Sequence, residues 1–480
     1  MRDEPAGTVI IGLEIHTQLN TASKLFCGCS TDYRTDGPNT HVCPICMGLP
    51  GSLPRMNRRA VEFALRVAKA LHCEVLEEAE FARKNYFYPD LPKGFQITMY
   101  DRPLGVQGYL DIEGDDGEKR IRITRIHLEE DPGRLVHKGG GDRPKYSLVD
   151  YNRSGIPLLE IVTEPDLRSP REARRLINTL RSTLEYLRVF DGDKEGSLRV
   201  DANISITGYS RVEIKNISSF KGVEKALTFE ITRQRNLIRR GQTIERETRH
   251  FLETRGITTS ARGKEVEHDY RYFPEPDLRP LRVKDWVEDI DLPELPAARR
   301  ERFVAEYGIS INHARTLTGE FKLADFYEQV AHIGPVLAAT WVADILLGEL
   351  NYRDMSIGSV PVPPFIDLLT LVMERSITDK GAVEVLRVML DQAAHHEMVD
   401  SPSTIVGRLN LGRTSGDEFI PLAREVIDSY QPAVEDYRRG KKGALNFLIG
   451  QVMKKVGGKA DPRELGKIIE SLIAESSPGA

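Results

Sequence analysis

The sequence lacks several features that would assign it at once. No run approaches the roughly 18 apolar residues that cross a bilayer, and 40% hydrophobic with 29% charged residues is the make-up of an ordinary globular chain. No membrane span is expected. The start, Met1-Arg2-Asp3-Glu4-Pro5, is acidic where a secretory leader is apolar, and too short and acidic for an organellar one, so the expected compartment is the cytosol. Basic excess is absent too: the formal net charge is -5, so any nucleic-acid contact must be a local patch. Neither G-x-G-x-x-G nor G-x-x-x-x-G-K-[ST] follows a strand pattern, which removes the two common phosphate loops. Gly139-Gly140-Gly141 sits between charged residues with no helix behind it and reads as a hairpin tip. There is no internal repeat, low-complexity tract or heptad run. Cysteines number only five, and four of them fall in one short window, unlike the scatter of a disulfide framework.

What is present is a long chain of two characters. At 480 residues it has room for about two to four domains. The runs Val9 to Ile15, Ile121 to Leu128, Leu158 to Val162, Val200 to Ile206 and Val212 to Ile217 are β-branched and often alternate, as strands with one exposed face do. Helices interrupt them. Ser169-Pro170-Arg171-Glu172 is a capping box leading into the stripe Ala173, Leu176, Leu180, Leu184 and Leu187, and another helix follows Asn57. With short turns such as Gly114-Asp115-Asp116-Gly117, this pattern predicts a mainly antiparallel α+β domain. The two prolines of Asp291-Leu292-Pro293-Glu294-Leu295-Pro296 mark its end. Beyond them the pattern is helical: Ala297 to Glu306, Pro335 to Leu350, Ile377 to Ala394, then, past a break at Ser401-Pro402-Ser403, Glu418 to Tyr430, Val434 to Val456 and Pro462 to Ala474, with Gly457-Gly458 ending the second of these. The expected domains are 1–292, 293–402 and 403–480.

Two groups of residues carry chemistry. Cys27-Gly28-Cys29 and Cys43-Pro44-Ile45-Cys46, thirteen residues apart, suit a closed tetrahedral zinc site within an insertion at 26–48; a redox dithiol is the competing reading. Cys73 reads as a small buried apolar residue. In the first strand the period of two puts Glu14 and His16 on one face, which is either a solvated face or one wall of a metal site. Other strands add Asp201, Asn203 and Ser205, Glu213 with Lys215, and the acids closing Arg125-Ile126-His127-Leu128-Glu129-Glu130-Asp131. Neighbouring Glu129 and Glu130 point to opposite faces, so one of the two is expected to be a direct ligand. Oxygen donors with one imidazole favour a hard cation such as magnesium held with nucleotide phosphates. Lys84 and Arg199 are cations suited to transferring phosphate, and the aromatic segment holding Tyr86 either flanks a nucleotide or anchors a loop. Arg438, Arg439, Lys441, Lys442, Lys454 and Lys455 suit phosphate contacts with RNA or are a solvated helix face, and His395-His396 has no partner at metal spacing.

Gly12 to His16, the Cys27 to Gly48 window, Arg83 to Lys93, Ile126 to Gly133, Ser147 to Arg153, Leu158 to Pro170, Gly196 to Ser205, Asp269 to Pro274, Val434 to Tyr437 and Gly443 to Met453 together resemble one family in order, the GatB-type subunit of the tRNA-dependent amidotransferases. The resemblance covers nearly the whole chain. It implies a cradle domain related to glutamine synthetase, a helical domain and a small all-α tail of the YqeY type. It also implies a heterotrimer with a glutaminase subunit and a small third subunit, which amidates Glu-tRNA(Gln) or Asp-tRNA(Asn) after ATP phosphorylates the side-chain carboxylate. By the same resemblance Glu14, His16, Glu130 and Asp201 surround magnesium with Glu129 and Glu213 nearby, while Lys84, Tyr86 and Arg199 serve ATP. Asp193-Lys194-Glu195-Gly196 departs from the family pattern by being shorter and less acidic. The alternatives are the related GatE type of the archaeal two-subunit enzyme, which carries an inserted domain, and a zinc-stabilised RNA-binding scaffold without catalysis.

Overall fold

The computed structural model describes residues 7–138, 146–192, 194, 196–217, 219–261, 270–412, 416–455 and 462–475. Gly139 to Gly141, Asp193, Glu195, Asp269 and Val456 to Gly458 lie outside them. The chain divides into two compact units, Met1–Pro296 and Ala297–Ala480, a division that falls on the proline-framed segment.

Among the described residues the first unit holds β1 (Val9–Gln18), β2 (Glu74–Val75), β3 (Phe81–Asn85), β4 (Phe95–Met99), β5 (Gly105–Gly114), β6 (Gly117–Glu130), β7 (Arg134–Lys138), β8 (Tyr146–Asp150), β9 (Pro157–Thr163), β10 (Leu198–Ile206), β11 (Val212–Ile217), β12 (Glu247–Leu252), β13 (Ile257–Ser260) and β14 (Phe273–Pro274). Nine of them form one sheet in the order β13-β12-β11-β10-β1-β9-β6-β5-β2, while β14-β3-β4 and β7-β8 make two small sheets. The large sheet is antiparallel except where β11 runs parallel to β12. Its first strand by sequence is its centre.

Alternation explains the sheet's two faces. Along β1, Val9, Ile11, Leu13 and Ile15 are buried, and along β10 so are Leu198, Val200, Ala202, Ile204 and Ile206; the residues between them are polar in β10 (Arg199, Asp201, Asn203, Ser205), and Glu14 and His16 continue that face in β1. Three helices cover the apolar face: α1 (Arg58–Ala70), α2 (Pro170–Tyr186) and α3 (Phe220–Arg239). α2 carries the chain from β9 to β10 across β1, and α3 makes the crossover that a parallel β11–β12 pair requires. Their starts are fixed by side chains. Asn57 Oδ1 accepts from the N–H groups of Arg59 and Ala60, and Ser169 Oγ accepts from Glu172 N at 3.2 Å. The expected reciprocal bond of the capping box lands one residue early: Glu172 accepts from Arg168 N at 2.7 Å and also from Lys119. This ties the helix start to β6.

Among the described residues the named elements of the second unit are all helices, with one isolated bridge between Ile377 and Gly412. Pro335–Thr340, a π-turn at Trp341–Leu346 and Leu347–Arg353 run on from one another through the single helix expected there. The helix expected over Val434 to Val456 is instead two, Gln431–Arg438 and Lys442–Lys455. Gly440, at φ +88°, takes a backbone turn that an α-helix cannot contain. The last four helices enclose a core of their own around Phe419, Val426, Leu448, Val452, Leu465 and Ile469. Helix Pro402–Leu409 packs on Val362–Met373 and Asp379–Ala394. No helix among the described residues is long and apolar enough to cross a membrane.

Leu180, 1% exposed beneath the sheet, should be costly to truncate: Leu180→Ala is expected to lower stability by about 2–5 kcal/mol and Asn57→Ala by about 1 kcal/mol. Denaturant midpoints measure both, and an unmoved midpoint for Leu180→Ala would contradict this packing.

Candidate active site and metal centres

Register decides which polar side chains meet. β10 sets Asp201 opposite Glu14 and Arg199 opposite His16; β9 sets Glu160 opposite His16; β6 sets His127 opposite Glu160; β11 sets Glu213 opposite Asn203. Residues paired across antiparallel strands share a face, so all of these project from the side of the sheet away from α1, α2 and α3.

They gather into two pockets. In the first, carboxylate oxygens of Glu14, Asp201 and Glu213 lie within 4.8 Å of one another. Asn203 Nδ2 donates to Glu14 at 2.9 Å, Thr248 Oγ1 donates to Glu213 at 3.1 Å, and Lys215 Nζ stands 3.6 Å from Asp201 and 3.4 Å from Glu213. Burial, then the charges of Glu160, Asp201 and Glu213, raises the Glu14 carboxyl above its ordinary range. An all-oxygen set of this kind fits a hard divalent cation.

The second pocket joins His16, Glu129 and Glu160, again within 4.8 Å. His127 completes it: His16 Nε2 and His127 Nε2 each stand 3.3 Å from Glu160 Oε2. Thr98 Oγ1 donates to Glu129 at 3.2 Å. Burial opposes charging of both imidazoles, but the hydrogen bond and charge of Glu160, with Glu129 behind it, outweigh burial and raise each to about 9. Glu160, although buried, is held well below the usual carboxylate range by His127 and His16. Among the described residues, buried His127 Nδ1 has no hydrogen-bond partner. Mixed nitrogen and oxygen donors also fit a divalent ion.

The single set expected around one ion is thus divided. Glu14 and Asp201 share a pocket with Glu213, and His16 sits in the other with Glu129 and Glu160. Glu130 joins neither: it accepts from Lys93 Nζ and from Ile97 N, because the pleat sends consecutive side chains apart. Glu160 and His127 were not singled out by sequence. Their signal was alternation, one polar residue between Leu159 and Ile161 and another between Ile126 and Leu128.

Arg199, opposite His16, lies within the field of acids from both pockets. Its Nη2 donates to Asp131 Oδ1 at 2.7 Å, and Asp131, then Glu129 and Asp201, holds its charged form. Lys84 Nζ lies 4.7 Å from the Tyr270 ring centre and 5.8 Å from that of Tyr86. Tyr86, Tyr270, Tyr272 and Tyr100 form a connected aromatic wall, with Tyr272 stacked on Tyr100 at 4.0 Å. Burial first and Glu129 second push the Tyr86 and Tyr272 phenols up, which sets this wall beside the second pocket.

The cysteines form a separate centre. All four sulfurs, from Cys27, Cys29, Cys43 and Cys46, lie within 4.8 Å. A zinc–sulfur bond of about 2.3 Å puts tetrahedral sulfurs about 3.8 Å apart, and Cys43 Sγ and Cys46 Sγ are separated by 3.9 Å. The Cys27 hydrogen bond, against burial, lowers the Cys46 thiol to about 5. Fully buried Lys24 reaches within 3.8 Å of Cys46 Sγ and donates to His41 O at 2.7 Å. The donors fit structural zinc. Between this knuckle and Glu130 lies a cavity of about 180 Å³ lined by Lys24, Cys46, Arg83, Lys93 and Glu275. Gly48, at φ +66°, permits the approach, since a Cβ there would meet the Lys93 side chain.

In the tail, Arg439 pairs with Glu435, Lys441 with Asp436 and Lys455 with Glu425, while Arg438 donates to Ile473 O and Lys454 is exposed. The side chain of Lys442 lies outside the described residues.

A polar sheet face with two clusters that could hold cations, flanked by a four-cysteine knuckle, marks the α+β unit as the part of the chain that carries the chemistry. Residues 9–288 match the GatB/GatE catalytic domain and residues 325–473 the GatB domain. The chain belongs to the GatB/GatE family. It is 64% identical over 474 residues to a protein of Methanoregula boonei, covering 97% of this chain and 98% of that one. A Methanospirillum hungatei protein is 65% identical over 464 residues, at 97% and 98% coverage, and one from Methanosarcina barkeri 52% over 491 residues, also at 97% and 98%. Each of those three is named as the B-type subunit of an aspartyl/glutamyl-tRNA(Asn/Gln) amidotransferase.

The purified chain is expected to carry stoichiometric zinc by elemental analysis, and Cys27→Ser/Cys46→Ser to lose it together with a lower melting temperature. Full zinc content in that double variant would contradict the cysteine site.

Proposed function

We propose that this chain is the activating subunit of a tRNA-dependent amidotransferase, turning the side-chain carboxylate of misacylated Glu-tRNA(Gln) or Asp-tRNA(Asn) into an amide at the expense of ATP. The observation that carries this is the pair of candidate cation pockets on one sheet face, with Arg199 in the field of both, in a chain whose relatives bear that subunit's name across their whole length.

The chemistry sets the requirement. A carboxylate repels ammonia and offers no leaving group, so its oxygen must first take the terminal phosphoryl group of ATP, releasing ADP. Ammonia then adds to the carbonyl carbon and inorganic phosphate leaves, completing the carbon–nitrogen bond. Glu14, Asp201 and Glu213 are the residues that would hold magnesium, with His16, His127, Glu129 and Glu160 available to a second ion. Bound magnesium supplies Lewis acidity to the phosphoryl oxygens. Arg199 and Lys84 offset negative charge as phosphate transfers. The wall of Tyr86, Tyr270, Tyr272 and Tyr100 keeps water from an acyl phosphate that hydrolysis would waste.

On this reading the sheet is a cradle of glutamine synthetase type, followed by a helical domain over 293–402 and a YqeY-like tail over 403–480. The tail binds tRNA through Arg438, Arg439, Lys441, Lys442, Lys454 and Lys455. Ammonia comes from a glutaminase partner, a small third partner completes the heterotrimer, and the substrate places the assembly in the cytoplasm.

Reconstituted with those partners, the parent should amidate a misacylated tRNA only with ATP present. Glu213→Gln and Glu160→Gln should each lower kcat at least about a hundredfold. Parent rates in both variants would refute the assignment of the face. Removal of residues 403–480 should weaken tRNA binding at least about tenfold while glutaminase turnover persists; unchanged tRNA affinity would remove the tail from the RNA site.

A further inference from the structure

Charge changes sign along β1. Its polar side chains run Glu14, His16, Gln18, each step about 6.8 Å; the first two belong to the acidic pockets, whereas Gln18 opens a cluster of arginines. Gln18 Nε2 donates to Asp131 Oδ2 at 2.7 Å, and its Oε1 accepts from Arg34 Nη2 at 2.9 Å. Asp131 is 1% exposed; it accepts from Arg199 at 2.7 Å and stands 3.7 Å from Arg153 Nε. Two guanidiniums therefore meet one buried carboxylate, and Gln18 links a third to it. Asp90 also lies within the field of Arg153 and Arg199.

The three arginines are differently placed. Arg153 is tied to Pro132 O and Gly133 O, which fixes its plane. Arg199 is half-buried and anchored by Asp131. Arg34 is exposed, and among the described residues no carboxylate lies within ion-pair distance of it. Beside it a small cavity of about 20 Å³ is walled by Asn20, Thr31, Asp191 and Lys194, the last two 3.6 Å apart. Two anchored guanidiniums and one outward-facing one, with the balancing carboxylate hidden beneath, are what a phosphate oxyanion requires: donors already aimed and little charge to displace.

We propose that Arg34, Arg153 and Arg199, organised by Asp131 and Gln18, form a phosphate subsite at the basic end of the sheet face, next to the His16 pocket. The ligand is a phosphate group of a substrate, carried either by the nucleotide or by the RNA backbone near the acylated end. Asp131 and Gln18 are positioning residues, and Arg34 makes the contact nearest solvent. This rests on the function proposed above, but its test does not require turnover.

Equilibrium binding of ATP with magnesium, and separately of uncharged tRNA, is measured on the assembled complex carrying Arg34→Glu, Arg34→Gln or Arg34→Lys. Arg34→Glu is expected to weaken one probe by at least about tenfold, the loss of a hydrogen bond to a charged group, with Arg34→Gln intermediate and Arg34→Lys nearest the parent. A loss confined to tRNA, with a shallower salt dependence by about one phosphate contact, assigns an RNA phosphate; a loss confined to ATP assigns a nucleotide phosphate. Binding of both probes within twofold of the parent by an Arg34→Glu complex of unchanged melting temperature overturns the subsite. The expected binding losses in a complex whose parent fails to amidate would instead strike the function proposed above.

Discussion

Antiparallel pairing of β1 with β9 on one side and β10 on the other is the constraint on which the rest depends, because it gathers acids that are distant in sequence. Glu14 meets Asp201 and His16 meets Glu160 through backbone hydrogen bonds that have no charge of their own. Three carboxylates within 4.8 Å repel one another, by about 3 kcal/mol per pair at an effective dielectric of about 20. Lys215 offsets part of that. The apolar side of the same strands supplies the opposing force: Ile11, Leu13, Ile15, Val200, Ala202 and Ile204 are buried against helices, and the residues between them cannot turn away without exposing that core. A divalent ion bound there would remove the remaining repulsion.

The knuckle and the small sheets hold the margins of this face. Lys24 links the thiolate cluster to Tyr151 O as well as His41 O, and Asn39 and Asn152 bind the knuckle to β8 and the segment after it. Gly155 brings that segment against Cys46 and Glu130. On the aromatic side, Arg83 forks onto buried Glu275 at 2.7 and 2.9 Å, joining β3 to the strand that follows Tyr270 and Tyr272. Zinc held by these four cysteines would stiffen the surroundings of Glu130 and Asp131.

Much of this was legible in the sequence because it is local. Period-two alternation placed Glu14 with His16 and Asp201 with Asn203, the spacing of Cys27, Cys29, Cys43 and Cys46 announced their cluster, and Asn57 and Ser169 announced helix starts. Register was not legible, since it is a relation between strands up to about 190 residues apart in the chain. For that reason alternation alone did not bring Glu160 and His127 together with His16, and it left Glu129 and Glu130 as alternatives; in the fold Glu129 lies beside His16 while Glu130 accepts from Lys93. The expected helix over Val434 to Val456 missed Gly440, whose positive φ only the folded chain displays.

The central claim is that this face activates a carboxylate by giving it phosphate, and isotope transfer tests it most directly. Misacylated tRNA carrying ¹⁸O in the side-chain carboxylate, turned over with ATP and glutamine by the assembled complex, should deliver one labelled oxygen to each inorganic phosphate released. Unlabelled phosphate accompanying full amidation would contradict the account.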